Sequence, residues 1–327
     1  MNVAAVVVSF NRKALLVECL DALLGQTQKL DRIIIIENNS TDGTVQLLKE
    51  GGYLDNPLIE CVVLGTNIGG AGGFSEGLRR AVEQGYDWVW LMDDDAEPDA
   101  DAYRRCLPYL NADDCALVAP LLGDAAGAAD YGGMHRGVLL PPSEATIASM
   151  GRPISAEDTE GRATLDIDLC SFVGPFISAK AVAEVGLPRH EFFIHYDDIE
   201  YTLRLRKSGR LILIPRAIIK HKQAQVVGRS EVRATIFGPK ERIRYDKLWS
   251  SYYGYRNLAW LIARKVVPTR MSQLLGWHAR LVASVLLYDD HKISRIRFWN
   301  SSLFDGLAGR FDNEKPRQWL ANSLPNT

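Results

Sequence analysis

The chain has 327 residues, 47% of them apolar and 24% charged, enough to bury a substantial core as one large domain with an appendage or as two domains. Its net charge of −2 hides an asymmetry: residues 1–200 hold 14 Lys and Arg against 32 Asp and Glu, and residues 201–327 hold 24 against 8. The basic C-terminal part predicts an anionic partner: a membrane surface, a lipid phosphate or a nucleic acid. No apolar run approaches the roughly 20 residues of a spanning helix, and no basic stretch of the signal-peptide kind precedes the first strand. The five cysteines, Cys19, Cys61, Cys106, Cys115 and Cys170, lack metal-like spacing and read as buried thiols of a reducing compartment. These features point to a cytoplasmic protein that touches a membrane only from its surface.

In chain order, Val3–Val8 reads as a strand covered on both faces, Arg12–Leu24 as a helix, Arg32–Ile36 as a strand and Thr44–Glu50 as a short helix. Glu60–Leu64 follows as a third strand, Gly72–Gln84 as a helix and Tyr86–Met92 as a fourth strand. This alternation predicts a doubly wound, mostly parallel sheet flanked by helices. Residues 121–165, rich in Gly, Ala, Pro and Ser, read as loops and short strands over the sheet. A second block runs from Asp166 to about His221, with an apolar stretch at Leu169–Ile177 and a helix at Ala179–Val185. A further helix starts near Asp197 and is closed by Gly209, and Leu211–Ile214 is a strand. From Asp246 onward the pattern is helical, aromatic and basic. The division predicted is 1–120 and 121–235 as two halves of one α/β domain, with 236–327 as a helical C-terminal region.

Trp90-Leu91-Met92-Asp93-Asp94-Asp95 puts three carboxylates at the end of a buried strand, where ligands of open α/β sheets gather. Acids at i and i+2, Asp93 and Asp95, can grip Mg²⁺ or Mn²⁺ while the metal holds a diphosphate. A solvated acidic turn is the plain alternative. In an extended segment Asp94 points away from its neighbours, toward a ribose or sugar. The first βα turn, Ser9-Phe10-Asn11-Arg12, can meet a nucleotide, or Ser9 or Asn11 can cap the helix. Glu37 closes the second strand, where a base or ribose could be read, and Ser40 or Asp42 can cap the short helix after it. Asn67-Ile68-Gly69-Gly70-Ala71-Gly72-Gly73-Phe74 opens a helix with glycines that let backbone approach a phosphate. It follows the third strand and lacks G-x-G-x-x-G spacing, which argues against a Rossmann oxidoreductase.

His195-Tyr196-Asp197-Asp198-Ile199-Glu200 begins another helix. Asp197 and Glu200 offset its macrodipole, and Glu200 pairs with Arg204 at i,i+4. Asp198 remains as a carboxylate able to take a proton from an acceptor hydroxyl. His221 follows a strand as an imidazole suited to Mn²⁺. Near the C-terminus Trp249, Tyr252, Tyr253, Arg256, Asn257 and Trp260 share one helical face. That face serves either packing or, with Lys247, Arg264, Lys265, Arg270 and Arg280, an anionic bilayer.

V-V-S-F-N-R, E-N-N-S-T-D-G-T, D-D-D and Y-D-D-I-E, in this order over roughly residues 3–222, resemble the inverting GT-A glycosyltransferases of family two. The resemblance implies a Rossmann-like GT-A fold, with Glu37 on the nucleotide base, Asp93 and Asp95 on the metal and Asp198 as the base. The first family acid is commonly Asp, so Glu37 departs from the pattern. Asn67–Phe74, Trp90–Asp95 and Tyr196–Glu200 are similar to a narrower group, the bacterial galactofuranosyltransferases of the cell envelope. In that group a histidine completing the metal site falls where His221 stands, 23 residues after Asp198.

The resemblance therefore implies transfer of galactofuranose from UDP-galactofuranose, with Mn²⁺ or Mg²⁺, to a glycan or lipid-linked glycan of the cell envelope. Ser9, Asn11, Arg12, Glu37, Asn67, Gly69, Gly70, Asp93 and Asp94 would serve the donor. Asp197, Glu200 and Arg204 would serve the acceptor or support the helix, and no nucleic-acid partner is expected. Transfer from dTDP-rhamnose by the same chemistry is the nearest alternative. An inactive nucleotide-sugar-binding protein is another, against which the retention of Asp93, Asp95, Asp198 and His221 argues.

Overall fold

The computed structural model describes all residues except 113, 133, 223–229, 236–237 and 324–327. It has two compact units. The first comprises Met1–Leu139, Gly151–His190 and Asp197–Ala224; the second comprises Leu140–Met150, Glu191–Tyr196 and Gln225–Thr327.

The first unit opens with β1 (Val3–Ser9), α1 (Lys13–Leu24), β2 (Arg32–Glu37), α2 (Thr44–Glu50), β3 (Ile59–Val63), α3 (Gly69–Glu83) and β4 (Trp88–Asp93). It continues with β5 (Ala96–Pro98), α4 (Ala102–Leu110), β6 (Cys115–Gly123), β7 (Arg136–Leu139), β8 (Gly151–Pro153), α5 (Ala156–Thr159), β9 (Leu165–Asp166) and β10 (Leu169–Cys170). It closes with β11 (Phe176–Ser178), α6 (Ala179–Val185), α7 (Asp197–Leu205) and β12 (Arg210–His221). The main sheet runs β3-β2-β1-β4-β11-β6-β12-β5, with β9 beside β12. β3, β2, β1 and β4 are mutually parallel, β11 is antiparallel to both its neighbours, and β6 and β12 are parallel.

The apolar runs make these strands because both faces of the sheet are covered. Val3, Ala5, Val7, Ile33, Ile35, Trp90 and Met92 enter a core with α1 residues such as Leu16 and Leu20. The alternate residues Ala4, Val6, Val8, Ile34, Ile36, Val89 and Leu91 enter another with Phe74 and Leu78 of α3, as the two-residue repeat of a strand requires. α3 lies unusually close to β1. A Cβ on Gly77 would stand 2.2 Å from Val6 Cγ1, and one on Gly73 2.5 Å from Val8 Cγ1. Two glycines of this region therefore serve helix-to-sheet packing.

The strand expected at Leu211–Ile214 continues to His221. Its ladder with β6 shifts register between Ile214 and Ile218, so Pro215, which has no N–H to donate, sits at the interruption. The extension lets β12 pair with β5, with His221 opposite Ala96. The loop-like stretch after β6 contains β7 and β8, which join β10 in a three-stranded sheet.

The second unit contains β13 (Ser230–Thr235), β14 (Gly238–Ile243), α8 (Trp249–Ala263), α9 (Met271–Tyr288), α10 (Lys292–Ala308) and α11 (Lys315–Ser323). β13 and β14 pair antiparallel. The aromatic face of α8 is spent on packing: Tyr252, Tyr253, Arg256, Asn257 and Trp260 are buried. Tyr252 meets Phe298 at 5.1 Å and Tyr253 stacks on Phe193 at 4.8 Å. This corrects the bilayer reading of that face, since buried rings have no surface to offer lipid. No helix among the described residues is long and apolar enough to cross a membrane. The five cysteines carry free thiols, buried except for the half-buried Cys61.

Candidate active site

Parallel register brings Ser9 level with Glu37 and Val8 level with Asp93, so the ends of β1, β2 and β4 form one edge. Glu37 is buried, and its Oε1 accepts from Ser40 N–H at 2.8 Å. Beside it the buried Asn38, not singled out from the sequence, accepts from Ile68 N–H at 2.9 Å and donates to Gly69 O at 3.0 Å. Asn67 Oδ1 accepts from Gly69 N–H at 2.8 Å, and Gly69 has φ +78°. Asn38 and Asn67 thus shape the turn into α3, while a Cβ on Gly70 would meet open space.

The expected caps work crosswise. Ser9 donates to Asp94 and does not cap α1; Asn11, at φ 54°, accepts from Thr41 N–H at 2.7 Å. The first N–H of α1, from Lys13, goes to Asp42 Oδ2 at 3.1 Å, and Asn11 N–H goes to Ser40 Oγ at 2.9 Å. These bonds sew the first and second βα turns together.

An extended D-D-D run would aim Asp94 outward. The chain instead turns at Asp94 and Asp95 between β4 and β5, which buries Asp94. Its carboxylate accepts from Ser9 Oγ at 2.9 Å, Phe10 N–H at 3.3 Å and Arg12 Nη1 at 3.2 Å. Its oxygens are thus engaged by the first βα turn. Arg12 Nη1 also reaches Asp95 Oδ2 at 3.3 Å.

Pairing of β5 with β12 carries His221 to the same place. Lys222 N–H donates to Asp95 O at 3.0 Å, and His221 Nε2 lies 3.3 Å from Asp95 Oδ1. Asp93, Asp95 and His221 each present one ligand atom, all within 4.8 Å of one another. His221 Nδ1 is buried with no hydrogen-bond partner among the described residues. His135 stands edge-on to His221, ring centres 5.2 Å apart, and its Nδ1 is 3.0 Å from Ser171 Oγ. Arg136 is buried, donating to Pro120 O at 3.0 Å and Val173 O at 2.7 Å. Neither His135 nor Arg136 stands out in sequence. The one signal is a His-Arg pair in a stretch of small residues.

Massing these groups shifts them in the direction physics requires. Burial, then the charges of Asp95 and Asp94, pushes the Asp93 carboxyl up to about 7. Burial raises Asp94 to about 6, against the pull of Arg12 and the Ser9 hydroxyl. Burial works to lower His221, but Asp95 and then Asp93 outweigh it and raise the imidazole. His135 is held down to about 4 by burial and by Arg136. Such a cluster is poised to accept positive charge.

α7 supplies the remaining acids. Burial, then Asp198, holds Asp197 well above the ordinary range, with Asp93 among the further charges acting on it. Burial raises Asp198 to about 6, and its Oδ1 accepts from Ile199 N–H at 2.7 Å. Glu200 and Arg204 do not join the cluster. Their bidentate pair, 2.8 Å at Nε and at Nη2, is completed by Arg204 donating to Val185 O at 2.6 Å and Leu187 O at 2.9 Å. They fasten α7 to the end of α6.

The sheet order and the flanking helices define a fold of the GT-A class, with the acids gathered at the strand ends. Residues 4–153 match glycosyl transferase family 2, and the chain is a glycosyltransferase. It is 29% identical over 286 residues to galactofuranosyltransferase GlfT1 of Mycolicibacterium smegmatis, covering 84% of this chain and 89% of the relative. It is 22% identical over 276 residues to dTDP-rhamnosyl transferase RfbF of Shigella flexneri, covering 83% of each. The fold resembles that of GalNAc-T7, solved with UDP, GalNAc and Mn²⁺, at a TM-score of 0.58 and 16% identity. That match covers 68% of this chain but only 44% of the other.

Proposed function

We propose that this enzyme transfers galactofuranose from UDP-galactofuranose, with inversion, to a glycan or lipid-linked glycan of the cell envelope. The observation that carries the reaction class is the convergence of Asp93, Asp95 and His221 at the strand-end edge, their ligand atoms within 4.8 Å. Two carboxylates and an imidazole with an unpartnered Nδ1 fit Mn²⁺ or Mg²⁺. When bound there, the cation would neutralise the departing diphosphate. Arg12, tied to Asp94 and Asp95, brings the first βα turn to the same edge. Glu37 is proposed to face the nucleotide base, and the turn Asn67–Gly70, shaped by Asn38, to approach the phosphates.

Asp198 is proposed as the base. It takes the proton of the acceptor hydroxyl as that oxygen bonds to the anomeric carbon. The bond from that carbon to the diphosphate oxygen breaks on the opposite face, which inverts the centre. A carboxyl raised to about 6 is ionised at neutral pH, yet basic enough to share the proton in the transition state.

The donor assignment draws on the likeness to galactofuranosyltransferase GlfT1; the rhamnosyl transferase likeness supports dTDP-rhamnose as the second reading. A donor screen with Mn²⁺ and a transfer readout tests it. UDP-galactofuranose should be consumed far faster than dTDP-rhamnose or UDP-galactopyranose, and a preference for dTDP-rhamnose replaces the first reading with the second. For the membrane we propose contact through α9 and α10. Leu275, Leu286, Leu287, Ile293 and Phe304 are exposed there, with Arg280, Lys292 and Arg297 exposed on the same two helices to meet anionic headgroups.

A further inference from the structure

Glu191–Tyr196 runs directly into Asp197 and Asp198 and has an unusual backbone. Phe193, His195 and Tyr196 take φ of 66°, 69° and 64°, a region that residues with a Cβ seldom occupy. Three such residues within four positions persist only where surrounding groups over-determine them. Two adjacent side chains of α8 do this. Asn257 Nδ2 donates to the carbonyls of Phe192 at 3.0 Å, Ile194 at 3.1 Å and His195 at 2.8 Å. Arg256 Nη2 donates to those of Glu191 at 3.2 Å and Phe192 at 3.0 Å.

The two side chains also fix each other. Arg256 Nε donates to Asn257 Oδ1 at 3.0 Å, so the Asn257 amide can only turn its N–H groups toward the carbonyls. Both are 0% exposed. Every hydrogen bond of Arg256 among the described residues goes to a neutral oxygen, Asn313 Oδ1 being the last. Its guanidinium lies over Tyr253 and Phe311. Burying a guanidinium on backbone carbonyls is a costly way to pack a helix, and an apolar side chain would pack it more cheaply. What the arrangement secures is the path of Glu191–Tyr196 itself.

We infer that Arg256 and Asn257 are positioning residues, which hold the left-handed segment 193–196 immediately ahead of Asp197 and Asp198 in the chain. The inference rests on the reading of Asp198 as the base. Asn257→Asp is the sharpest variant. It keeps the shape and the acceptor for Arg256 Nε, so it should fold, but it has no N–H to give the three carbonyls. Asn257→Ala serves as a second variant, with folding followed by circular dichroism.

Transfer kinetics are measured with UDP-galactofuranose, or dTDP-rhamnose should that be the donor consumed, alongside UDP affinity with Mn²⁺ by calorimetry. Asn257→Asp should lower kcat on the order of 10²-fold, as a displaced catalytic group does, and leave UDP affinity within about a factor of two. In an Asp198→Asn background the same change should cost little more, because residues acting through one group are not additive. Arg256→Lys, which keeps a donor for the carbonyls, should retain more kcat than Arg256→Met. Undiminished kcat in folded Asn257→Asp overturns the inference, and so does a full multiplicative loss in the Asp198→Asn background. If Asp198→Asn alone leaves transfer intact, the base reading fails first and takes the inference with it.

Discussion

Replacing Asp93 by Asn in metal-free protein should stabilise the fold, by an amount that grows with pH. Burial, then Asp95 and Asp94, pushes the wild-type carboxyl up to about 7. The unfolded chain ionises Asp93 near pH 4, so between about pH 4 and pH 7 the folded state holds the extra proton and stability falls as pH rises. About two pKa units of that span lie above pH 5, at about 1.4 kcal/mol each, so the advantage of the Asn variant should grow by up to about 3 kcal/mol between pH 5 and pH 8. Comparing variant and wild type at each pH largely cancels other groups, including His135, which is held down to about 4 by burial and Arg136 and so works in the opposite direction. The assay is urea unfolding with EDTA at both pH values, read by linear extrapolation. Millimolar Mn²⁺ should reverse the order, because a ligand of the folded state stabilises it in proportion to occupancy. An advantage equal at pH 5 and pH 8 refutes the electrostatic account. Equal stabilisation of both proteins by Mn²⁺ refutes the metal assignment.

Asp198→Asn should lower transfer by on the order of 10²–10⁴-fold with UDP affinity retained; equal loss of UDP binding would move Asp198 into the donor site. With Asp198 raised to about 6 by burial, wild-type kcat/KM should decline as pH falls through about 6, where the base takes up its proton, and activity level down to pH 5 counts against the role. Gly77→Ala should destabilise by about 2–3 kcal/mol through overpacking, since its Cβ would stand 2.2 Å from Val6 Cγ1 and 3.1 Å from Ile36 Cγ1; an unmoved urea midpoint would show that α3 can lift from the sheet freely. Co-sedimentation with anionic vesicles should be clear at low salt and weaker at high salt, and absence of binding at low salt removes the proposed membrane contact.

The sequence by itself determined the strands and helices of the first hundred residues, because a strand covered on both faces must be apolar throughout and a helix must repeat its apolar positions. It also placed Asp93 and Asp95 at a strand end and Asp198 in the first turn of a helix, since both assignments depend only on near neighbours. Other features depended on residues far away in the chain. Asp94 turns inward because Ser9, Phe10 and Arg12 await it there, and no pattern within D-D-D encodes that. His221 reaches Asp95 through the pairing of β12 with β5, across an interruption at Pro215 that reads as the end of a strand. Within the glycine-rich opening of α3, Gly73 answers to Val8, and Gly77 further along the helix answers to Val6. The aromatic face of α8 allowed bilayer or core, and Phe193 and Phe298 decided for the core. Local pattern fixes what each segment is, by the geometry of its own backbone. Which side chains then meet is set by register and packing between segments far apart in the chain, where the hydrogen-bond partners of a buried charge are found.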